Sequence, residues 1–138
     1  YVTALAVKMF GNENRILVAR AGHLPLYVYR NADRKIERIQ PNGIGLGLTS
    51  PKMFNKSIEE ICLDFNPGDS LLLVTDGITE ARNSDFVEFG EQRMMEVFSQ
   101  SITEDSPTIR KNILDEVHNH TGTEPQYDDQ TIIVVKKV

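Results

Sequence analysis

Leu71, Leu72, Leu73 and Val74 form an uninterrupted apolar run, as long as any in the chain and the richest in leucine, and that run constrains the fold more than any other stretch. A continuous apolar segment this short, bounded by turn signals, reads as a central strand buried on both faces. Asn66-Pro67-Gly68-Asp69 leads into it, with proline at the second turn position and glycine at the third. Asp76-Gly77 closes it. Just upstream, Ile61, Leu63 and Phe65 alternate with Glu60, Cys62 and Asp64, the period of two that marks a half-exposed strand.

The remaining elements follow from the same periodicities. Residues 2–10 and 15–19 are β-prone and are joined by the polar Gly11-Asn12-Glu13-Asn14, which predicts a hairpin. Gly22-His23-Leu24-Pro25 breaks the chain before a third strand at 26–30, and a fourth is expected at 36–39. Gly43, Gly45 and Gly47 alternate with apolar residues and predict a closely packed irregular loop. Met94, Val97 and Phe98 sit at helical spacing within 90–101. A second amphipathic helix, with Ser106 as its N-cap and Pro107 at its first position, carries Ile109, Ile113, Leu114 and Val117 on one face to about His120. A last β-run covers 131–135. The expected class is α+β, mostly antiparallel, with two helices.

Charge and composition exclude several functions. Twenty acidic residues against fifteen basic ones give a net charge of −5 without a basic patch, which argues against a nucleic-acid surface. One cysteine, Cys62, rules out an internal disulfide and a multi-cysteine zinc site, and fits a reducing, cytoplasmic setting. The four-residue apolar run is far short of the roughly 20 residues a membrane helix needs, and no signal peptide is visible. The chain opens directly on a strand-like run, so an upstream segment is expected.

Two acidic positions stand out. Asp76 follows the buried strand, and Asp128-Asp129 precede the final one. If those strands are antiparallel neighbours, the Asp76 and Asp128 carboxylates converge at one sheet edge. Like charges brought together there, and partly buried, are relieved by a divalent cation; all-oxygen ligands favour Mg²⁺ or Mn²⁺. Two such ions about 4 Å apart polarise a phosphate and generate a hydroxide nucleophile. Gly77 would let backbone approach closely. Asp-Gly is also a common turn dipeptide, and Asp128-Asp129 also suits a solvated strand start, so residue types alone leave both readings standing.

Other candidates are weaker. His23 suits a general acid or ligand, but an ordinary turn imidazole is the favoured reading. His118 and His120 face different sides of a helix and are expected at the surface. Cys62 has no obvious base beside it, Met94-Met95 reads as core filling, and no Lys-Ser/Thr follows the glycines at 43, 45 and 47 to make a phosphate loop.

Taken in order, Ala21-Gly22-His23-Leu24-Pro25-Leu26, Gly43-Ile44-Gly45-Leu46-Gly47, Pro67 through Thr75-Asp76-Gly77-Ile78-Thr79-Glu80-Ala81, Phe89-Gly90-Glu91-Gln92-Arg93 and Tyr127-Asp128-Asp129-Gln130-Thr131 form a series. It resembles the PPM-type phosphatases, related to protein phosphatase 2C, in the bacterial branch of sporulation stage II protein E and the sigma-B regulator phosphatases. The resemblance spans essentially the whole chain. It implies an αββα sandwich with a binuclear Mn²⁺/Mg²⁺ site at one sheet edge, where a metal-bound water hydrolyses phosphoserine or phosphothreonine. By motif position it makes Asp76 and Asp128 metal ligands, with Gly77 and Asp129 supporting them from behind; relatives often carry asparagine at the latter position. Arg20 is a mild departure from asparagine.

The larger departure is an absence. The family carries an upstream Asp-Gly that bridges both metals, and the only Asp-Gly here is Asp76-Gly77. Residues 1–138 therefore read as the C-terminal part of one phosphatase domain, expected to bind metal weakly and turn over little alone. The implied partner is a phosphorylated protein such as an anti-sigma-factor antagonist, with a sensor upstream. The alternative is a non-catalytic interaction module. Without covering helices one sheet face should be apolar and pair with a second copy, which light scattering would detect.

Overall fold

The computed structural model describes residues 1–11 and 13–138. Among these residues there are seven strands: β1 (Ala4–Met9), β2 (Arg15–Ala21), β3 (Leu26–Arg30), β4 (Lys35–Ile39), β5 (Glu60–Asp64), β6 (Ser70–Val74) and β7 (Ile132–Lys136). They form two sheets, ordered β1-β2-β5 and β4-β3-β6-β7, and every strand pairing is antiparallel. Asn12, in the expected first hairpin connection, lies outside the described residues.

The apolar run 71–74 does lie inside its sheet, between β3 and β7. Its side chains alternate between two cores. Leu71 packs with Ile16, Val18, Leu26, Val28 and Phe65 between the sheets. Leu72 and Val74 point the other way, into a cluster with Tyr27, Met94, Phe98, Ile109, Ile113 and Val117. A strand sandwiched by two cores has no solvated face, hence no polar alternation. Each such leucine, removed fully from water, contributes roughly 1.5–3 kcal/mol of transfer free energy.

Among the described residues there are four helices rather than the two expected: α1 (Pro51–Ser57), α2 (Asp76–Thr79), α3 (Glu91–Gln100) and α4 (Ser106–Thr121). The start of α4 differs by one residue from the sequence reading. Asp105, not Ser106, is the N-cap, because its carboxylate accepts the Thr108 N–H at 2.9 Å. Those hydrogen bonds from Thr108 hold the Asp105 carboxyl below the usual range. Ile109, Ile113 and Val117 then fall four apart on the buried face of α4, and Met94 and Phe98 do the same on α3. The Met94-Met95 pair is core filling as expected: Met94 is buried and Met95 packs beside it.

Helices α3 and α4 cover the larger sheet along β4 and β7, and among the described residues no helix packs comparably on β1, β2 or β5. The layers therefore run sheet, sheet, helix, three of the four in a complete αββα sandwich. The uncovered face of the smaller sheet carries Ala6, Leu17, Ala19 and Cys62.

At one end of the sandwich a buried carboxylate ties four strands together. Asp69 closes the 66–69 turn, in which Gly68 adopts φ +90°, as the third position of a type II turn requires. Asp69 Oδ1 accepts the Asn31 N–H at 2.9 Å, and Oδ2 accepts the Asn66 N–H at 3.0 Å and the Arg30 guanidinium at 3.3 Å. Arg30 also donates to the Asp64 carbonyl at 2.6 Å, while the Lys137 N–H reaches the Asp69 carbonyl at 2.9 Å.

Tyr27 is fully buried between sheet and helices, yet its hydroxyl has no hydrogen-bond partner among the described residues. Burial pushes its phenol well above the ordinary range. Removing an unpaired buried hydroxyl relieves a desolvation cost. Tyr27→Phe is expected to leave the thermal midpoint unchanged or raise it; a fall of more than about 3 °C, roughly 1 kcal/mol for a domain of this size, would mean that the hydroxyl is bonded after all.

Candidate metal centre

Strands β6 and β7 pair in register from Ser70↔Lys136 to Val74↔Ile132. The chain leaving β6 therefore meets the chain entering β7. Thr75 joins the two: its hydroxyl donates to the Asp129 carbonyl at 2.8 Å and accepts the Thr131 N–H at 2.9 Å, while its own N–H reaches the Thr131 carbonyl at 3.2 Å. Two residues further on, Gly77 lies flat against the incoming strand. A Cβ built there would stand 2.4 Å from the Asp129 carbonyl oxygen and 3.2 Å from the Asp128 carbonyl carbon. Only glycine permits that approach.

This contact sets the segments that carry Asp76 and Asp128 side by side at one sheet edge. Asp76 begins α2, and its Oδ1 accepts the Gly77 N–H at 3.1 Å; Asp128 Oδ1 accepts the Asp129 N–H at 2.7 Å. The second oxygen of each has no hydrogen-bond partner among the described residues. Both side chains are exposed, not partly buried as expected, and so is Asp129, whose carbonyl rather than its carboxylate makes the close contacts.

The other sequence candidates sort differently. The β3–β6 register, Tyr27↔Leu72 to Tyr29↔Ser70, brings the segment before β3 to the same end of the sheet as Asp76. His23 lies in that segment. Its Nδ1 accepts the Leu24 N–H at 2.6 Å and its carbonyl accepts the Arg20 guanidinium at 2.7 Å, bonds that shape a turn. Arg20 also reaches the Pro41 carbonyl at 2.9 Å, and Gly43 is so close that a Cβ would fall 1.7 Å from the Arg20 carbonyl. The glycine loop is thus packing against the Gly22-His23 turn.

His118 is exposed, but His120 is half-buried, contrary to the expected surface position. His120 Nε2 donates to the Val87 carbonyl at 2.9 Å, and Nδ1 accepts the Arg93 guanidinium at 3.0 Å. Its ring meets Phe89 edge-on at 5.7 Å. It bridges α4 to the 82–88 loop. Cys62 is free and exposed on the uncovered sheet.

Sequence reasoning overlooks Thr75 and that loop. A cleft of about 480 Å³ opens beside Gly77 and Asp128, walled by Phe86, His118 and Tyr127. No periodicity marks a cleft; the only cue is the clustering of turn-forming residues at 83–85.

In kind, the two free carboxylate oxygens suit a hard divalent ion. In number they fall short of the about six oxygens such an ion takes, and among the described residues no group of three or more His, Cys, Asp or Glu converges. They fit as part of a coordination set.

Comparison with known proteins decides the family. The pattern of stage II sporulation protein E matches residues 1–138. The chain belongs to the stage II sporulation protein E family. Relatives of this family member include Protein IcfG of Synechocystis, 31% identical over 115 residues, and the phosphoserine phosphatase RsbU of Bacillus subtilis, 23% identical over 141 residues. The alignments cover 83% and 99% of this chain, but only 17% and 39% of those proteins. The phosphatase domain of SpoIIE from Bacillus subtilis, from a manganese-presoaked crystal, superposes with a TM-score of 0.73 at 21% identity, over 98% of this chain and 56% of that one. The α+β fold of this family member is therefore the PP2C-type fold. Among the described residues no helix is long and apolar enough to cross a membrane.

Proposed function

We propose that the chain is the C-terminal part of a PP2C-type protein phosphatase domain and supplies Asp76 and Asp128 to its divalent-metal site. The single observation that carries this reading is the Gly77 contact: Gly77 lies so close to the Asp129 carbonyl that no Cβ would fit, which brings the segments carrying Asp76 and Asp128 together at one edge. When bound, Mn²⁺ or Mg²⁺ supplies charge neutralisation and polarisation of a phosphoryl group. Asp76 and Asp128 would each offer the ion the carboxylate oxygen that the hydrogen bond to Oδ1 leaves free. Gly77 and the Asp129 carbonyl hold the two segments in contact, and Thr75 keys them in register. The remaining ligands would come from outside residues 1–138.

The family, and a relative named as a phosphoserine phosphatase, support a phosphoserine or phosphothreonine protein as substrate. A phosphorylated anti-sigma-factor antagonist is the substrate we favour. With Mn²⁺, the full-length protein should release phosphate from a phosphoserine peptide, and chelation should abolish the release. The isolated 138 residues should release little. Robust Mn²⁺-dependent turnover by the isolated chain would refute the division of ligands proposed here. The shortfall to two carboxylates favours one rival, a non-catalytic binding module, and a full-length protein that never turns over under any metal would establish it.

A further inference from the structure

The 82–88 loop holds a large aromatic residue out of the core at a conformational cost. Phe86 is 80% exposed and has a φ of +61°, in the left-handed region that disfavours side chains with a Cβ. The loop does not adopt this shape by looseness. Asn83 Oδ1 accepts the N–H groups of Asp85 and Val87 at 3.1 and 2.9 Å, and the Phe86 N–H reaches the Asn83 carbonyl at 2.9 Å. An Arg82–Glu88 ion pair at 2.8 Å closes the base, and His120 clamps the Val87 carbonyl from α4. Strained, well-held residues of this kind cluster where something is bound.

Phe86 faces a cleft whose other wall carries Tyr127, itself 69% exposed, and whose floor reaches Gly77 and Asp128. Glu80 and Glu124 line the same cleft, and its one arginine, Arg82, is engaged by Glu88. The surface is thus aromatic and net negative, and it runs up to the carboxylate edge. Its complement is a segment carrying apolar and basic side chains next to a group held at that edge.

We propose that this cleft seats the polypeptide flanking the phosphorylated residue, taking an aliphatic side chain against Phe86 and Tyr127 and a lysine or arginine against Glu80 and Glu124. This rests on the phosphatase reading for the position of the phosphate. Charge complementarity selects a basic-aliphatic sequence context over an acidic or glycine-rich one.

Three fluorescein-labelled nonapeptides with a central phosphoserine, flanked on both sides by Lys-Leu, Lys-Gly or Glu-Leu, test it by anisotropy titration in Mn²⁺. The Lys-Leu peptide should bind about 10-fold more tightly than either of the others, the scale of discrimination an apolar seat provides. Because the whole chain is acidic, a lysine preference alone is not diagnostic. Phe86→Ala should abolish the leucine-over-glycine preference while keeping lysine over glutamate. Phe86→Gly, which removes the left-handed strain, should do the same without lowering the thermal midpoint. Equal affinity of wild type for the Lys-Leu and Lys-Gly peptides, or a leucine preference that survives both substitutions, overturns the proposal. Phosphate release from the Lys-Leu peptide by the full-length protein is scored separately. Its absence refutes the phosphatase reading, while the affinities still decide the cleft.

Discussion

Asp76→Asn should lower Mn²⁺-dependent phosphate release by the full-length protein by about 100-fold or more, the scale expected when a metal site loses a ligand charge rather than a supporting partner. The substitution isolates charge from shape. An asparagine side chain at this position keeps a carbonyl oxygen for the Gly77 N–H that Asp76 Oδ1 now accepts at 3.1 Å, so the first turn of α2 has no reason to move. Because Asp76 is exposed, no core contact is lost, and the thermal midpoint should stay within about 2 °C of wild type. Asp128→Asn should behave alike, and the double variant should be hardly worse than either single one, since the two groups act as a unit. Gly77→Ala should fail differently. Its Cβ would collide with the Asp129 carbonyl, prising the strands apart and costing both activity and stability. Wild-type rates for Asp76→Asn would remove the metal role altogether.

Asp69→Ala should destabilise the fold by about 3 kcal/mol, the lower end for breaking a buried ion pair. The carboxylate side chain is 4% exposed and its partner Arg30 15%, so little solvent screening reduces the effect. Deletion also strands the Asn31 and Asn66 N–H groups, each of which carries its own desolvation cost. At about 3 °C per kcal/mol for a chain of this length, the midpoint should fall by about 10 °C. Asp69→Asn, which retains one acceptor oxygen, should cost less. Thermal denaturation followed by circular dichroism decides it, and a loss under about 1 kcal/mol would mean that the network is replaceable by water.

These two aspartates illustrate what the sequence makes readable. Asp76 is conspicuous because it ends an apolar run, but the pairing of its strand with the last one is a condition that β-propensity leaves open and the observed register supplies. Asp69 reads only as a turn residue. Its partners Asn31 and Arg30 lie 38 and 39 residues away in sequence, and no local pattern encodes a contact at that range. Helix α1 escapes the periodicity reading although its signal is present: Ser50-Pro51 repeats the motif that locates α4, and the Ser50 hydroxyl accepts the Met53 N–H at 3.4 Å. The four-residue α2 is too short to show a period. The exposure of the carboxylates is illegible for another reason. Burial of a strand says nothing about the residue just past its end, which here turns out into solvent.

The Thr75 latch has a consequence for how relatives can diverge. It spans 54 residues of sequence yet fixes the Asp129 carbonyl directly to the end of β6. Insertions or deletions in the 122–126 stretch, past the end of α4, can then reshape the neighbouring cleft while the paired aspartates keep their spacing. On the proposed reading, the choice of polypeptide and the hydrolysis itself would then be separately evolvable traits.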